Sequence, residues 1–173
     1  MKTLKSILLC LLFATGLLSC GKDDLTDVKK LPIEKEIPIQ FFNLDYIDST
    51  NVNEIYITYF KAPHLINSEE DLSDLFNELK LDMPEDLKIL DYEQYSLLLK
   101  FDLYISKAHS VSVRHYFYKN INQKNDYDYQ YYQSIGYGSA NVETENEPFY
   151  YSGILVDKIS NNSKIQFSLA SVQ

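Results

Sequence analysis

The chain has 173 residues, a formal net charge of −9, two cysteines, 15 tyrosines and no tryptophan. This length suits one domain of ordinary size that builds its own hydrophobic core. Because so acidic a surface repels phosphate backbones, we expect no nucleic acid as a partner.

Residues 1–19 have the features of a secretory signal segment. Lys2 and Lys5 precede an uncharged run of 12 residues from Ile7 to Leu18. A permanent membrane helix needs about 20 apolar residues, whereas a signal segment has a basic start and an apolar run of about 7–15 residues. We therefore expect residues 1–19 to be removed, and the loss of the two lysines changes the formal net charge from −9 to −11.

The end of this segment resembles a bacterial lipobox. Residues 17–20 read LLSC, and in the resemblance Cys20 becomes the first mature residue and carries lipid on its sulfur. Residues 21–24, GKDD, resemble the surface-export tag of Bacteroidetes lipoproteins. The resemblance implies a lipid-anchored protein of the outer membrane that is exposed on the cell surface. Several acyl chains would make the attachment lasting, since one chain holds only marginally.

The remaining chain divides into a tether and one domain. Residues 20–36 are charged and lack periodicity, which predicts a flexible membrane tether. Residues 37–173 are expected to form a single α+β domain. Cys10 leaves with the signal segment and Cys20 carries the lipid, so this domain has no disulfide and no cysteine nucleophile.

The first half of the domain contains two predicted strands and one helix. Alternating side chains predict strands within residues 37–47 and 54–60. Ser68 is a good helix N-cap with Asp71 three residues later, and leucine and phenylalanine recur at helical spacing over residues 72–79. We therefore expect one amphipathic helix to begin after Ser68.

From residue 96 the apolar period changes to two, which predicts strands within 97–105, 111–117, 127–131, 149–159 and 164–172. The last two are expected to pair through a hairpin turn at residues 160–163. The predicted fold is α+β, with a mainly antiparallel sheet of about six to seven strands and one amphipathic helix packed on one face. The other face of the sheet would show tyrosines to solvent.

Residues 64–105 resemble small secreted α+β domains. The stretches NSEEDL (residues 67–72) and LDYEQYSLL (residues 90–98) are similar to a helix-then-strand pattern in the C-terminal domain of protease-complex accessory subunits. The resemblance implies a fold without catalytic residues, so it transfers no chemistry.

We expect neither a metal site nor a bound cofactor. A zinc site needs three or four converging ligands, and the only histidines are His64, His109 and His115. His115 is in phase with the apolar residues of its strand, which predicts a partly buried core histidine. The glycine spacings typical of phosphate-binding and dinucleotide-binding loops are absent from the sequence.

A tyrosine-rich stretch is the candidate binding surface. Nine tyrosines lie between residues 116 and 151, and we select Tyr127, Tyr129, Tyr131 and Tyr132 as candidate ligand-binding residues. Tyrosine is also a good strand former, so a solvent-facing sheet without a ligand is the alternative.

The sequence favours a non-catalytic binding or interaction module, with a protein or a glycan as partner and the membrane as the site of attachment through Cys20. The alternatives are a small carboxylate-based hydrolase and an accessory subunit of a surface complex. An enzyme should have a cleft with convergent acids, whereas a binding module should have a flat, exposed aromatic patch.

Overall fold

A computed structural model describes residues 27–44, 56–103, 110–122, 125–138 and 149–172. The signal segment 1–19, Cys20 and the export tag 21–24 lie outside these residues. The described chain contains eight strands, two α-helices and one five-residue π-helical segment. In chain order these are β1 Val28–Lys30, β2 Lys35–Phe42, the π-helical segment Tyr56–Phe60, β3 His64–Ile66, α1 Glu69–Glu78, α2 Glu85–Lys88, β4 Tyr95–Leu103, β5 Ser110–Asn120, β6 Tyr129–Gly138, β7 Phe149–Asp157 and β8 Ile165–Val172.

The strands form two four-stranded sheets. The outer sheet has the order β1-β5-β6-β8, and the central sheet has the order β2-β7-β4-β3. Neighbouring strands are antiparallel except β6 and β8, which are parallel. The helices cover one face of the central sheet and the outer sheet covers the other, so the fold has three layers.

The central sheet is apolar on both faces because both faces are covered. Leu97, Leu99 and Phe101 of β4 pack in the cluster that contains the buried face of α1, whereas Leu98 packs in the cluster between the sheets. Strands β4 and β7 are therefore buried along nearly their whole length. Continuous burial of this kind is typical of strands in the middle of a layered fold.

Helix α1 begins where the sequence predicts. Ser68 is the N-cap, and its Oγ accepts a hydrogen bond of 3.0 Å from the backbone N–H of Asp71. Three acids occupy the first turn, where the helix dipole favours negative charge. The buried face of the helix consists of Leu72, Leu75 and Phe76. The structure therefore has an amphipathic helix where the sequence predicts one. It is not the single helix expected, because α2 and the π-helical segment are also present, and the described strands number eight rather than six to seven.

The prediction of a single sheet is wrong, because the β-rich chain forms two sheets of four strands each. The expected hairpin between the last two strands is also wrong. β7 lies in the central sheet, whereas β8 lies in the outer sheet beside β6. The turn at residues 160–163 therefore carries the chain from one layer to the next. β7 is buried at every position except its last, which suits the central layer. In β8, apolar and polar residue types alternate from Ile165 to Leu169, which suits a sheet with one solvent face.

Two further predictions need correction. Part of the expected tether is structured, because β1 pairs with β5 and β2 begins at Lys35. Leu31 and Ile33 between these strands pack against the core between the sheets, which holds this segment in place. The strand expected within residues 54–60 is a π-helical segment at Tyr56–Phe60. Phe60 at its end is buried against other rings of the core, so the segment caps the edge of the central sheet.

A substitution at Gly153 of β7 would show how closely the central strands approach one another. A Cβ atom at this position would lie 2.4 Å from the backbone oxygen of Leu98, which cannot rotate away. We expect Gly153→Ala to lower the free energy of unfolding by about 1–3 kcal/mol, as overpacked cores do. Urea denaturation measures the change.

The matched control is Gly138→Ala at the exposed end of β6. Its Cβ would meet only the rotatable Oγ of Ser110, at 2.6 Å. Equal losses of stability in the two variants would contradict the close approach of backbone to Gly153.

Candidate functional site

The outward side of the outer sheet carries three tyrosines side by side. Tyr116 and Tyr118 lie on β5, and Tyr132 lies directly opposite Tyr116 on β6. The ring centroids of Tyr116 and Tyr132 are 5.5 Å apart, with the planes tilted by 51°. All three side chains are half-buried. We call this surface, together with Lys30 and Arg114, the tyrosine face.

Two cations flank these rings. Lys30 of β1 pairs in register with Tyr118, and its Nζ lies 5.5 Å from the centroid of the Tyr116 ring. A cation at this distance from an aromatic face is attracted by the ring quadrupole. Arg114, the only arginine of the chain, lies two residues before Tyr116 on the same side of β5 and is exposed. Among the described residues, neither cation forms an ion pair.

The strand register places polar, uncharged side chains around the tyrosines. Because side chains alternate between the two sides of a sheet, the outward residues of β6 and β8 form rows beside those of β5. One row contains Lys30, Tyr118, Gln130 and Gln166, the next contains Tyr116, Tyr132 and Ser168, and a third contains Arg114, Ser134 and Ala170.

The hydroxyl groups of the three tyrosines lie near one another. The pKa of Tyr118 is raised by partial burial and, to a smaller extent, by the neighbouring Tyr116 and Tyr132 hydroxyls. Within the described chain, no hydrogen bond occupies these three hydroxyls. They are therefore available as donors and acceptors for a molecule that lies on the sheet.

The four tyrosines selected from the sequence do not form one site. Tyr131 has 0% of its side chain exposed and lies between the sheets, so it cannot contact a ligand at the surface. Tyr129 also points inward and stacks on Phe117, with ring centroids 5.3 Å apart. Tyr127 lies in the loop before β6, beside a cleft. Only Tyr132 belongs to the tyrosine face.

The cleft beside Tyr127 and Tyr129 has a volume of ≈ 770 Å³ and lies where the β5–β6 loop meets the β7–β8 turn. Its amide side chains hold the loop. Asn120 donates from Nδ2 to the backbone oxygen of Tyr127 at 2.6 Å, and Asn122 donates from Nδ2 to Asp27 Oδ2 at 2.6 Å. Because these groups already have partners, the cleft is better explained as the closure of a loop than as a ligand site.

A second cleft of ≈ 330 Å³ lies beside helix α1 and contains three acids. Two of them have structural partners. Asp71 Oδ2 accepts a hydrogen bond of 3.2 Å from the backbone N–H of Asn67, and Glu78 Oε2 accepts one of 3.2 Å from the Tyr59 hydroxyl. The third, Asp74, lies one turn from each along the helix. Asp71 and Glu78 therefore organise the helix start and the π-helical segment, which indicates a structural role for these two acids.

The histidines do not form a metal centre among the residues that the structure describes, where no group of three His, Cys, Asp or Glu side chains is placed to hold a metal ion. His64 Nε2 lies 2.9 Å from the backbone oxygen of Tyr59, and burial is the main cause that lowers its pKa. His115 is buried in the sheet interior, as its alternation predicts. His109 lies outside the described residues.

A buried polar cluster lies between the two sheets. The Tyr131 hydroxyl is 2.8 Å from His115 Nδ1 and accepts a hydrogen bond of 2.8 Å from Gln133 Nε2, which also donates to Ser152 Oγ at 3.3 Å. Burial lowers the pKa of His115 to about 4, so the imidazole is neutral near pH 7. In the tautomer with its proton on Nε2, Nδ1 accepts a hydrogen bond from the Tyr131 hydroxyl. All four side chains are at most 7% exposed. The cluster pairs polar groups inside the core and has no access for a substrate.

Lys100 is a second buried titratable group. It is 3% exposed, and its Nζ donates to the backbone oxygens of Phe60, at 2.6 Å, and of Phe101. Asp102 Oδ2 lies 3.4 Å from the same nitrogen. Burial lowers the pKa of Lys100, and Asp102 opposes this effect. The side chain satisfies carbonyl groups at the edge of β4, which indicates a structural role.

Comparisons with models of known protein families, with curated proteins and with solved structures gave no match. In the described ranges, no helix has the length and apolar character needed to cross a membrane.

Sequence reasoning missed Tyr116, Tyr118 and Arg114. The signal was present, because the alternation that places His115 inside also places residues 114, 116 and 118 on the opposite side of the strand. A second signal is charge, since β5 and β6 contain no aspartate or glutamate.

Proposed function

We propose that this chain is a lipid-anchored, non-catalytic binding module displayed on the outer membrane, and that the tyrosine face is its binding surface. The observation that carries the binding role is the grouping of Tyr116, Tyr118 and Tyr132 on a solvent-facing sheet beside Arg114. Large rings that combine an apolar body with a polar tip are typical of contact surfaces. Two of the three acids beside helix α1, Asp71 and Glu78, have structural partners, which favours binding over hydrolysis.

The anchor and the tyrosine face would lie close together. Lys30 is ten residues after Cys20 in the sequence. A fully extended chain of that length spans at most about 35 Å. A module held on so short a tether would present the tyrosine face beside the lipid surface, where it meets molecules of the cell envelope or molecules arriving from outside.

The anchor is tested with the full chain in a Gram-negative host that exports and lipidates proteins. We expect alkyne-labelled palmitate to be incorporated into the wild type and into Cys10→Ser, but not into Cys20→Ser. Cys10→Ser is the matched control, because Cys10 lies within the signal segment. Labelling of Cys20→Ser, or no labelling of the wild type, would contradict the anchor.

Display of the face is tested on the same intact cells by enzymatic iodination of accessible tyrosines. Mass spectrometry should find iodine on Tyr116 and Tyr132 and none on the buried Tyr131, which serves as an internal control. Iodination that occurs only after lysis would contradict display on the cell surface.

A further inference from the structure

The outer sheet is the part of the described protein that best fits a negatively charged partner. The chain contains 25 acidic residues, and none of them lies in β1, β5, β6 or β8. The outward side of these strands carries Lys30 and Arg114, with tyrosine, glutamine and serine around them. Complementary charge directs a partner to one surface, and like charge repels it from the others.

The side chains of this face suit a partner rich in hydroxyl groups. Protein–protein interfaces have an apolar centre. In the three rows of the tyrosine face, the only apolar side chain among the described residues, apart from the tyrosine rings, is that of Ala170. Tyrosine rings offer apolar faces to the C–H groups of a sugar ring. Their hydroxyls, Gln130 and Ser168 offer donors and acceptors to the sugar hydroxyls.

The shape of the face favours a polymer over a small molecule. Among the described residues, clefts of ≈ 770 Å³ and ≈ 330 Å³ lie away from this face, at the β5–β6 loop and beside helix α1. Small ligands need concave sites that bury most of their surface. The tyrosine face instead has three adjacent rows of side chains, which can contact a polymer ligand that lies across the sheet.

The charge of the whole protein limits how densely charged that polymer can be. Duplex DNA carries one charge per about 1.7 Å, and a chain with a net charge of −9 repels so dense a polyanion. A polysaccharide with one carboxylate per sugar is less densely charged, and two cations can match it locally.

We infer that the tyrosine face binds an acidic polysaccharide, with sugar rings packed on Tyr116 and Tyr132 and sugar carboxylates at Lys30 and Arg114. The inference rests on the proposed binding role of this face and names its ligand class. An arginine fork binds a carboxylate with two parallel hydrogen bonds, and Lys30 supplies a point charge above the Tyr116 ring.

The test uses the full-length lipoprotein in detergent, applied to biosensors coated with polygalacturonate or with its methyl ester. The two polymers share a backbone and differ in charge. We expect polygalacturonate to bind at least about tenfold more tightly than the ester, because charge-assisted hydrogen bonds are roughly twice as strong as neutral ones. Binding should also weaken as salt rises, since exposed charges are screened within about 8 Å at physiological ionic strength.

Variants locate the site. Arg114→Gln and Tyr132→Ala should each lower the affinity for polygalacturonate about tenfold. The matched controls Lys61→Gln and Tyr127→Ala should leave this affinity unchanged. Lys61 lies beside the central sheet and Tyr127 beside the loop cleft, both away from the tyrosine face. Circular dichroism melting checks that each variant is folded. Lys30→Gln replaces Arg114→Gln as the charge variant if the latter does not fold.

Several outcomes would overturn the inference. These are equal binding to polygalacturonate and its ester, full affinity in both Arg114→Gln and Tyr132→Ala, or tighter binding of polyglutamate or of oligothymidylate on the same sensors. The last result would identify a polypeptide or a nucleic acid as the partner. Palmitate labelling without polygalacturonate binding would support the lipid anchor and refute this inference. Polygalacturonate binding without palmitate labelling would support this inference and refute the lipid anchor.

Discussion

Replacing Phe101 by alanine should lower the free energy of unfolding by about 3–5 kcal/mol, as large-to-small changes at buried aromatic positions do. Phe101 is 0% exposed and lies at the centre of the core between helix α1 and the central sheet. Its ring centroid lies 5.6–6.2 Å from those of four other aromatic residues, Phe42, Phe60, Phe76 and Tyr151. The cavity would be lined by rigid rings from four different elements, which cannot collapse together.

Urea denaturation at pH 7 measures this loss. Domains of this kind are stable by only about 5–15 kcal/mol, so the variant should also be recovered in lower yield. Tyr132→Ala is the matched aromatic truncation on the outer sheet, where a cross-strand pair contributes about 0.2–1 kcal/mol. A loss for Phe101→Ala no greater than that for Tyr132→Ala would contradict the position of Phe101 at the centre of the core.

Lowering the pH from 7 to 4 should remove about 3 kcal/mol of stability through His115 alone. Burial lowers the pKa of His115 from 6.5 to about 4 in the folded protein, and each pKa unit corresponds to about 1.4 kcal/mol. Between these two pKa values the unfolded chain binds a proton that the folded chain does not. The free energy of unfolding therefore falls as the pH drops through this window, and above about pH 6.5 the contribution no longer changes.

Urea denaturation at several pH values isolates this effect when the wild type is compared with His115→Gln. Glutamine does not titrate and can still accept a hydrogen bond from the Tyr131 hydroxyl, so the variant should depend less on pH by about 3 kcal/mol over this range. His64→Gln is the matched control and should keep the His115 contribution. Identical pH dependence in the wild type and in His115→Gln would show that the imidazole is not buried in the folded state.

Phe101 and His115 lie in different cores, on opposite sides of the central sheet. Phe101 faces helix α1, where the contacts are apolar, whereas His115 faces the central sheet from β5 and belongs to a polar cluster with Tyr131 and Gln133. Paired polar groups in a dry core restrict how two sheets can be aligned, because a shift would leave a donor or an acceptor without a partner. The cluster thus helps to set the register between the layers.

The local sequence determined the elements that depend on neighbours along the chain. Ser68 and Asp71 define the start of helix α1, and the alternation around Val111, His115 and Phe117 defines which side of β5 is buried. The β-rich, mainly antiparallel character also follows from period-two patterns. These features need only a few residues each, so they can be predicted without knowing which strands meet.

Only the tertiary structure decided how the strands are shared between the sheets. The short turn after β7 is compatible with a hairpin, yet β7 joins the central sheet and β8 lies parallel to β6. This partition buries Tyr131 between the sheets. The register of β5 with β6 brings Tyr132 beside Tyr116, 16 positions away in sequence. Which strands pair depends on the total apolar surface that three layers can bury, and that sum over the whole chain cannot be obtained from any single segment.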